Sequence, residues 1–259
     1  MIARAAPRTS PAQGQRASQS RFLRFRILIT GVAYLCPALF SASPAAAEVG
    51  TAVSIFNDAR FRGYSISNGH PVALLDISYD GPGGLYAAAS ASVLVRSRGA
   101  LRPLALQVNG GYAKRLRSGV TVDVGVVHTN YSRYSSPELG KSYTEVYAGL
   151  AGKFVSSRVY FSPDYLKGGA RTLYGEVDGT ISPASKLRLE GHIGVLALLG
   201  HAESSDYARS GLDWRLGISR SVGRISLHAA WSGRGSSRDV YESRTHGGNA
   251  LTFGLSCVL

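Results

Sequence analysis

Cysteine is almost missing from this sequence. Two occur in 259 residues, Cys36 and Cys257. That excludes a disulfide-stapled scaffold. Charge is scarce as well, at 17% of residues, where soluble domains average roughly 25%. No apolar run reaches the roughly 18 residues that a membrane-spanning helix needs. After Glu48 the i, i+3, i+4, i+7 spacing of an amphipathic helix is missing too, and glycine interrupts nearly every segment. The hydrophobic fraction, 44%, is ordinary and argues against disorder. What remains is an all-β protein, either a soluble domain or a membrane barrel. Glycine (31) and tyrosine (14) are the residues in supply.

The N-terminus is a separate segment. Arg4, Arg8, Arg16, Arg21, Arg24 and Arg26 stand in residues 1–26 without an acid. An apolar stretch runs from Ile27 to Phe40, interrupted by Pro37, and Ser41-Ala42-Ser43-Pro44-Ala45-Ala46-Ala47 follows. A basic start, a short apolar middle and a small-residue exit are the parts of a secretory signal. The expectation is a cleaved signal peptide over 1–47 and one domain over 48–259. Removing six of the 29 basic residues leaves 23 against 16 acidic ones, a net +7 instead of +13. The basicity that suggests nucleic acid belongs in good part to the leader, so no nucleic-acid partner is expected. Cys257 is then the last thiol, unable to form an internal disulfide.

The rest of the chain alternates. In Leu212-Asp213-Trp214-Arg215-Leu216-Gly217-Ile218-Ser219 one face is apolar and the other polar or small. The same period-2 pattern marks 120–126, 173–181, 187–195 and 225–232, and it is the signature of a half-apolar strand. Twelve such segments can be drawn: 48–58, 70–79, 85–96, 104–116, 120–131, 142–154, 158–163, 171–182, 186–199, 211–221, 224–232 and 250–259. Most reach the 9–11 residues of a tilted transmembrane strand rather than the usual 5–6. Connections alternate between tight turns (80–84, 117–119, 155–157, 183–185, 222–223) and mostly longer polar ones (59–69, 97–103, 132–141, 164–170, 200–210, 233–249). Short periplasmic turns and longer external loops are the habit of outer-membrane barrels. The last strand ends the chain with Leu251, Phe253, Leu255, Cys257 and Leu259 on one face. Such a strand suits recognition by the barrel assembly machinery, although the terminal residue is Leu rather than an aromatic.

In hydrocarbon every backbone polar group needs a partner, and a closed sheet has no edge. The pattern therefore predicts an antiparallel up-and-down barrel of about twelve strands, apolar side out. Glu145, Lys153, Glu176, Asp178, Arg188, Glu190, His192, Asp213, Arg215 and His228 would line its lumen. Gly125, Gly149, Ala151, Gly194, Gly217 and Ala230 would leave room there for a narrow pore. Tyr64, Tyr79, Tyr86, Tyr112, Tyr131, Tyr143, Phe154, Phe161, Tyr165, Trp214 and Trp231 are candidates for interfacial girdles.

Ala59-Arg60-Phe61-Arg62-Gly63-Tyr64-Ser65-Ile66-Ser67-Asn68-Gly69-His70-Pro71 resembles a motif of the TorF-type porin family of proteobacterial outer membranes. Tyr160-Phe161-Ser162-Pro163-Asp164-Tyr165 and Leu173 to Asp178 are similar to further stretches of that family, as are 187–194 and 206–222. Ala59 departs from the family's usual Tyr, and the basic leader is unusually long. The resemblance implies a signal peptide, an outer-membrane barrel and a porin role. It implies no catalytic or binding residues.

Arg60 and Arg62 follow the first strand and are candidates for a pore mouth that attracts anions, since charge rings set pore selectivity. The alternative is structural, with Gly63 allowing a bend and the arginines meeting lipid head groups or Asp58. The six histidines are scattered, so neither a metal nor another cofactor is expected. Ser67-Asn68-Gly69-His70 holds the letters of a barrel lipid hydrolase in the wrong order, and no nucleophile–base–orienter set is visible. The expectation is a non-enzymatic porin-like channel of a Gram-negative outer membrane, passing small polar or anionic solutes. Lipopolysaccharide and membrane lipid would be its neighbours. A non-conducting structural or surface-interaction barrel is the alternative.

Overall fold

Side chains that alternate in polarity place every second residue on the same face of a strand. In this chain the apolar set faces outward. The computed structural model describes residues 47–96, 100–132, 142–166, 170–199, 210–235 and 248–259, so most of the expected signal peptide lies outside the described residues. The strands are β1 (Glu48–Phe56), β2 (Arg60–Phe61), β3 (Tyr64–Ser65), β4 (Val72–Asp80), β5 (Leu85–Val95), β6 (Leu101–Arg115), β7 (Thr121–Tyr131), β8 (Ser142–Ala151), β9 (Val155–Ser162), β10 (Arg171–Ala184), β11 (Leu187–Leu199), β12 (Ser210–Val222), β13 (Ile225–Arg234) and β14 (Ala250–Val258). Twelve of them, all except β2 and β3, form a closed antiparallel barrel in sequence order, with β14 returning to β1.

Leu216, Ile218 and Leu227 are 57%, 46% and 52% exposed, whereas Asp213 and His228 on the alternate positions are buried. A soluble sandwich would show the reverse. The exposed residues of β14 are Leu251, Phe253 and Leu255, with Cys257 partly buried on the same parity and Leu259 exposed just past the strand, as the alternation predicts. Prolines sit where the ladder is irregular. Pro103 lies at the register shift between β5 and β6, and Pro183 at the one between β10 and β11. Proline has no N–H to give a neighbouring strand, so it is tolerated at such places.

Both ends of the barrel wall, Glu48 and Val258, lie at one rim, together with the tight connections 81–84, 116–120, 152–154, 185–186 and 223–224. Short turns identify that rim as periplasmic. Several expected boundaries move: Leu101 to Pro103 open β6 and Pro183 and Ala184 close β10, where connections are expected. The turn between β8 and β9 is Gly152–Phe154 rather than 155–157, because Ser156 and Ser157 pair with Asp178 and Val177 in the wall. Lys153 is therefore an exposed turn residue and not a lumen residue.

Candidate channel lumen

The connection after β1 does not stand outside the barrel. Its residues Ala59, Phe61, Tyr64 and Ile66 belong to the buried cluster inside it, with Leu94, Leu104, Tyr131 and Tyr143 from the surrounding wall and Tyr165 from the connection after β9. β2 and β3 form a two-rung hairpin, Arg60 opposite Ser65 and Phe61 opposite Tyr64. Its tip is Arg62-Gly63, with φ of 46° and 79°. Two consecutive left-handed residues make the tight hairpin turn whose twist matches the strands. Glycine suits the second position. A Cβ there would meet the Gly233 carbonyl and the side chains of Asp213 and Arg234.

Asp58 holds the hairpin together. Its Oδ1 accepts hydrogen bonds from Ser65 Oγ (2.5 Å), Ser67 Oγ (2.7 Å) and the Gly69 amide (3.1 Å), while Arg60 lies 3.4 Å from Oδ2. Ser67 Oγ in turn accepts from the Ala59 amide at 3.0 Å. Two further bonds tie the hairpin to the barrel. Arg60 Nη2 donates to the Gly248 carbonyl at 2.6 Å, and Arg234 Nη1 donates to Tyr64 Oη at 2.7 Å.

The deepest tether is Arg62. Its Nη2 donates to both carboxylate oxygens of Glu145, at 2.9 and 2.8 Å. Its guanidinium carbon stands 3.8 Å from the Tyr174 ring centroid, with Phe61, Tyr165 and Tyr160 at 4.9, 5.3 and 5.7 Å. Aromatic faces attract a desolvated cation. The pair is nearly sealed, with side chains 6% and 3% exposed.

Below it lie two more polar layers. In the first, His192 bridges Asp178 (Nδ1, 2.8 Å) and Asp213 (Nε2, 3.0 Å); Tyr174 Oη donates to Asp213 Oδ2 at 3.1 Å, and Tyr160 Oη to Glu176 at 2.9 Å. In the second, Arg158 Nη2 meets Asp123 at 2.7 Å, Tyr86 donates to Asp123 at 2.5 Å, and the Tyr86 and Tyr147 hydroxyls are bonded to each other. Glycines admit these rings. A Cβ on Gly111 would strike Tyr86, on Gly125 Tyr147, on Gly149 Arg158, and on Gly194 Tyr174. Of the glycines expected to leave room for a pore, Gly125, Gly149 and Gly194 thus receive side chains, while Gly217 has only ordinary contacts at 3.7 Å or more. Cavities of about 140 Å³ remain beside Arg158 and Asp123 and about 60 Å³ beside Arg62.

Glu145, Glu176, Asp178, His192, Asp213, Arg215 and His228 all stand on the inward positions expected of them. Arg188 and Glu190 are inward as well, 3.5 Å apart and half-exposed near the periplasmic rim. Arg60 and Arg62 are drawn into the barrel, so Arg62 is a lumen residue rather than a mouth residue. Glu176, Asp178 and His192 bring one donor atom each to within 4.8 Å of one another, a set able to hold a cation, although both His192 nitrogens are engaged by carboxylates here. Scattered spacing hid it, since the three come from adjacent strands β10 and β11. Asp76, Asp123, Arg158, Tyr147, Tyr160 and Tyr174 went unrecognised. Their parity was the available signal, because Tyr147 shares a face with Glu145, and Tyr174 with Glu176 and Asp178. Of the expected girdle, Tyr64, Tyr86, Tyr131, Tyr143 and Tyr165 are buried inside, while Tyr79, Tyr112, Phe154, Phe161 and Trp231 face outward.

A closed ring with an apolar exterior and an ionised interior defines a transmembrane β-barrel of the outer-membrane type. Over residues 41–254 the chain matches, and belongs to, the family described as "Bacterial protein of unknown function (Gcw_chp)". Among solved structures it is similar to the NanC porin, with 13% identity, 81% of this chain and 100% of that one covered, and a TM-score of 0.54. It also matches the KdgM porin (10% identity, 80% and 98% covered, TM-score 0.48). A third match is the COG4313 outer membrane channel from Pseudomonas putida F1 (11%, 87% and 100%, TM-score 0.45). No curated protein sequence matches.

Proposed function

We propose that this protein is a porin-like channel for passive diffusion of small polar solutes, closed in the described conformation by the 57–70 hairpin. The hairpin itself carries the reading. About eight strands can be filled by side chains alone, whereas twelve leave surplus space. Here that space is taken by a loop segment with its own hydrogen-bond hub, tied into the lumen largely by side-chain contacts. Such an element can move while the wall stays intact. The likeness to porins supports the barrel as a scaffold for this role.

The anion preference expected from the sequence finds no support in the described lumen. Asp58, Asp76, Asp123, Glu145, Glu176, Asp178 and Asp213 face Arg60, Arg62, Arg158, Arg215 and Arg234 there, so the described charges tilt toward cations. The reading keeps the TorF-type resemblance of 59–71, assigns no chemical reaction, and takes lipopolysaccharide and the barrel assembly machinery as partners of the external loops and last strand. The filled glycine gaps favour a second reading, a non-conducting structural barrel. Planar-bilayer recording separates them. The channel reading expects discrete conductance steps that become larger or more frequent in Arg62→Ala. Silence from both proteins, with folding verified by heat-modifiable gel migration, would establish the structural barrel instead. Reversal potential in a salt gradient would read the sign of the selectivity.

A further inference from the structure

The net positive charge of the domain is not in its lumen. A good part of it stands at the periplasmic rim. Lys114 and Arg117 stand at the β6–β7 turn, Lys153 at β8–β9, Lys186 at β10–β11, and Arg220 and Arg224 at β12–β13. All six are exposed, and none forms an ion pair among the described residues. The side-chain carboxylates at this rim are elsewhere. Glu48 and Asp80 pair across β1 and β4 on inward positions, and Glu190 is inward beside Arg188.

Two of the six fix the direction. Lys114 shares the outward face of β6 with Tyr112, and Arg220 shares the outward face of β12 with Ile218 and Val222. They point sideways from the wall, not into the pore. A cation on that face cannot lie within hydrocarbon, where it costs about 2–4 kcal/mol at mid-depth and about 0–1 kcal/mol at the interface. The row therefore marks the headgroup level. Outward aromatics mark the same level: Tyr112 two residues from Lys114, and Phe154 with its ring centroid 4.8 Å from Lys153 Nζ. Rings of this kind favour the interface.

We propose that these six cations form a collar that binds the phosphate headgroups of anionic phospholipids in the periplasmic leaflet. Their spread over four of the five turns at this rim suits a lipid annulus better than one compact protein partner. Each cation near a membrane surface enriches anionic lipid about fivefold, and salt screens the effect.

The test is electron paramagnetic resonance of the full protein in phosphatidylcholine vesicles. Spin-labelled phosphatidylglycerol and spin-labelled phosphatidylcholine are compared for their motion-restricted fraction at the barrel surface. Phosphatidylglycerol should associate severalfold more strongly at low salt, with the ratio falling toward one in molar salt. It should also fall toward one when all six positions are changed to Gln. Should that variant not fold, two triples, K114Q/R117Q/K153Q and K186Q/R220Q/R224Q, should each lose about half the preference. Equal association of the two lipids with wild type, or an unchanged preference in the variants, would overturn the proposal. So would collar-dependent binding of polyglutamate without lipid preference, which would assign the collar to an acidic protein partner.

Discussion

Arg62 reaches from the tip of a loop hairpin to Glu145 on the far wall, 2.8 Å from one carboxylate oxygen and 2.9 Å from the other. The pair joins the hairpin inside the lumen to the barrel wall. Removing one partner strands a buried charge and costs about 3–5 kcal/mol, while replacing both by apolar residues of similar size is close to neutral. R62M and E145L should each lower the unfolding midpoint, and R62M/E145L should recover most of the loss. A double-mutant cycle in denaturant measures the coupling. Additive losses would show that the two side chains do not act as a pair.

The Asp58 hub makes a different prediction. Asp58→Ala removes the acceptor of four hydrogen bonds inside the hairpin segment, from Arg60, Ser65, Ser67 and Gly69, but none within the wall. Barrel stability, read by heat-modifiable migration, should change little. Protease cleavage within 57–70 should accelerate several-fold, as the segment leaves its packed site. Unchanged cleavage would show that the aromatic contacts hold the hairpin without Asp58.

Two glycines on adjacent strands give a paired control. A Cβ on Gly194 would collide with the Tyr174 hydroxyl, whereas one on Gly175 meets nothing within 4 Å. Overpacking of this kind costs about 1–3 kcal/mol. Gly194→Ala should therefore destabilise the barrel by that amount, and Gly175→Ala should be neutral or slightly stabilising, since it faces lipid. Denaturant titration of both variants checks the contrast.

Depth in the membrane is testable on one strand. Leu216 and Val222 both face outward on β12, with Val222 at the periplasmic end. Leu216→Arg should cost about 2–4 kcal/mol and Val222→Arg about 0–1 kcal/mol. Equal costs measured in vesicles would contradict the placement of the apolar band.

Alternation was enough to read the wall. The parity of Leu212 to Ser219, or of Leu251 to Leu259, depends only on which neighbours are apolar, and the membrane enforces that choice at each outward position. The lumen was less legible, because its residues answer to each other across the barrel. Tyr86 looks like an interfacial ring near a strand end, yet its hydroxyl lies 2.5 Å from Asp123, 37 residues away. Nothing local encodes that distance. The hairpin escaped for the same reason. Arg62-Gly63 reads as a bend, and only a barrel built around it shows that the bend points inward. Ser156 misled in the opposite direction, since small polar letters mark turns in water but also inward wall positions, and Ser157 beside it takes an outward place between Val155 and Val159.

The seam between β1 and β14 joins the beginning of the domain to its end, through register pairs from Ala52–Val258 to Phe56–Gly254. An unfinished cylinder would present two unsatisfied edges to the bilayer, each unpaired group costing several kcal/mol. The chain consequently has no stable eleven-strand halfway form in lipid, and deleting the final ten residues would forfeit the whole structure instead of one staff of it. The cylinder is therefore sealed only once the carboxyl-terminal strand is in place against the first.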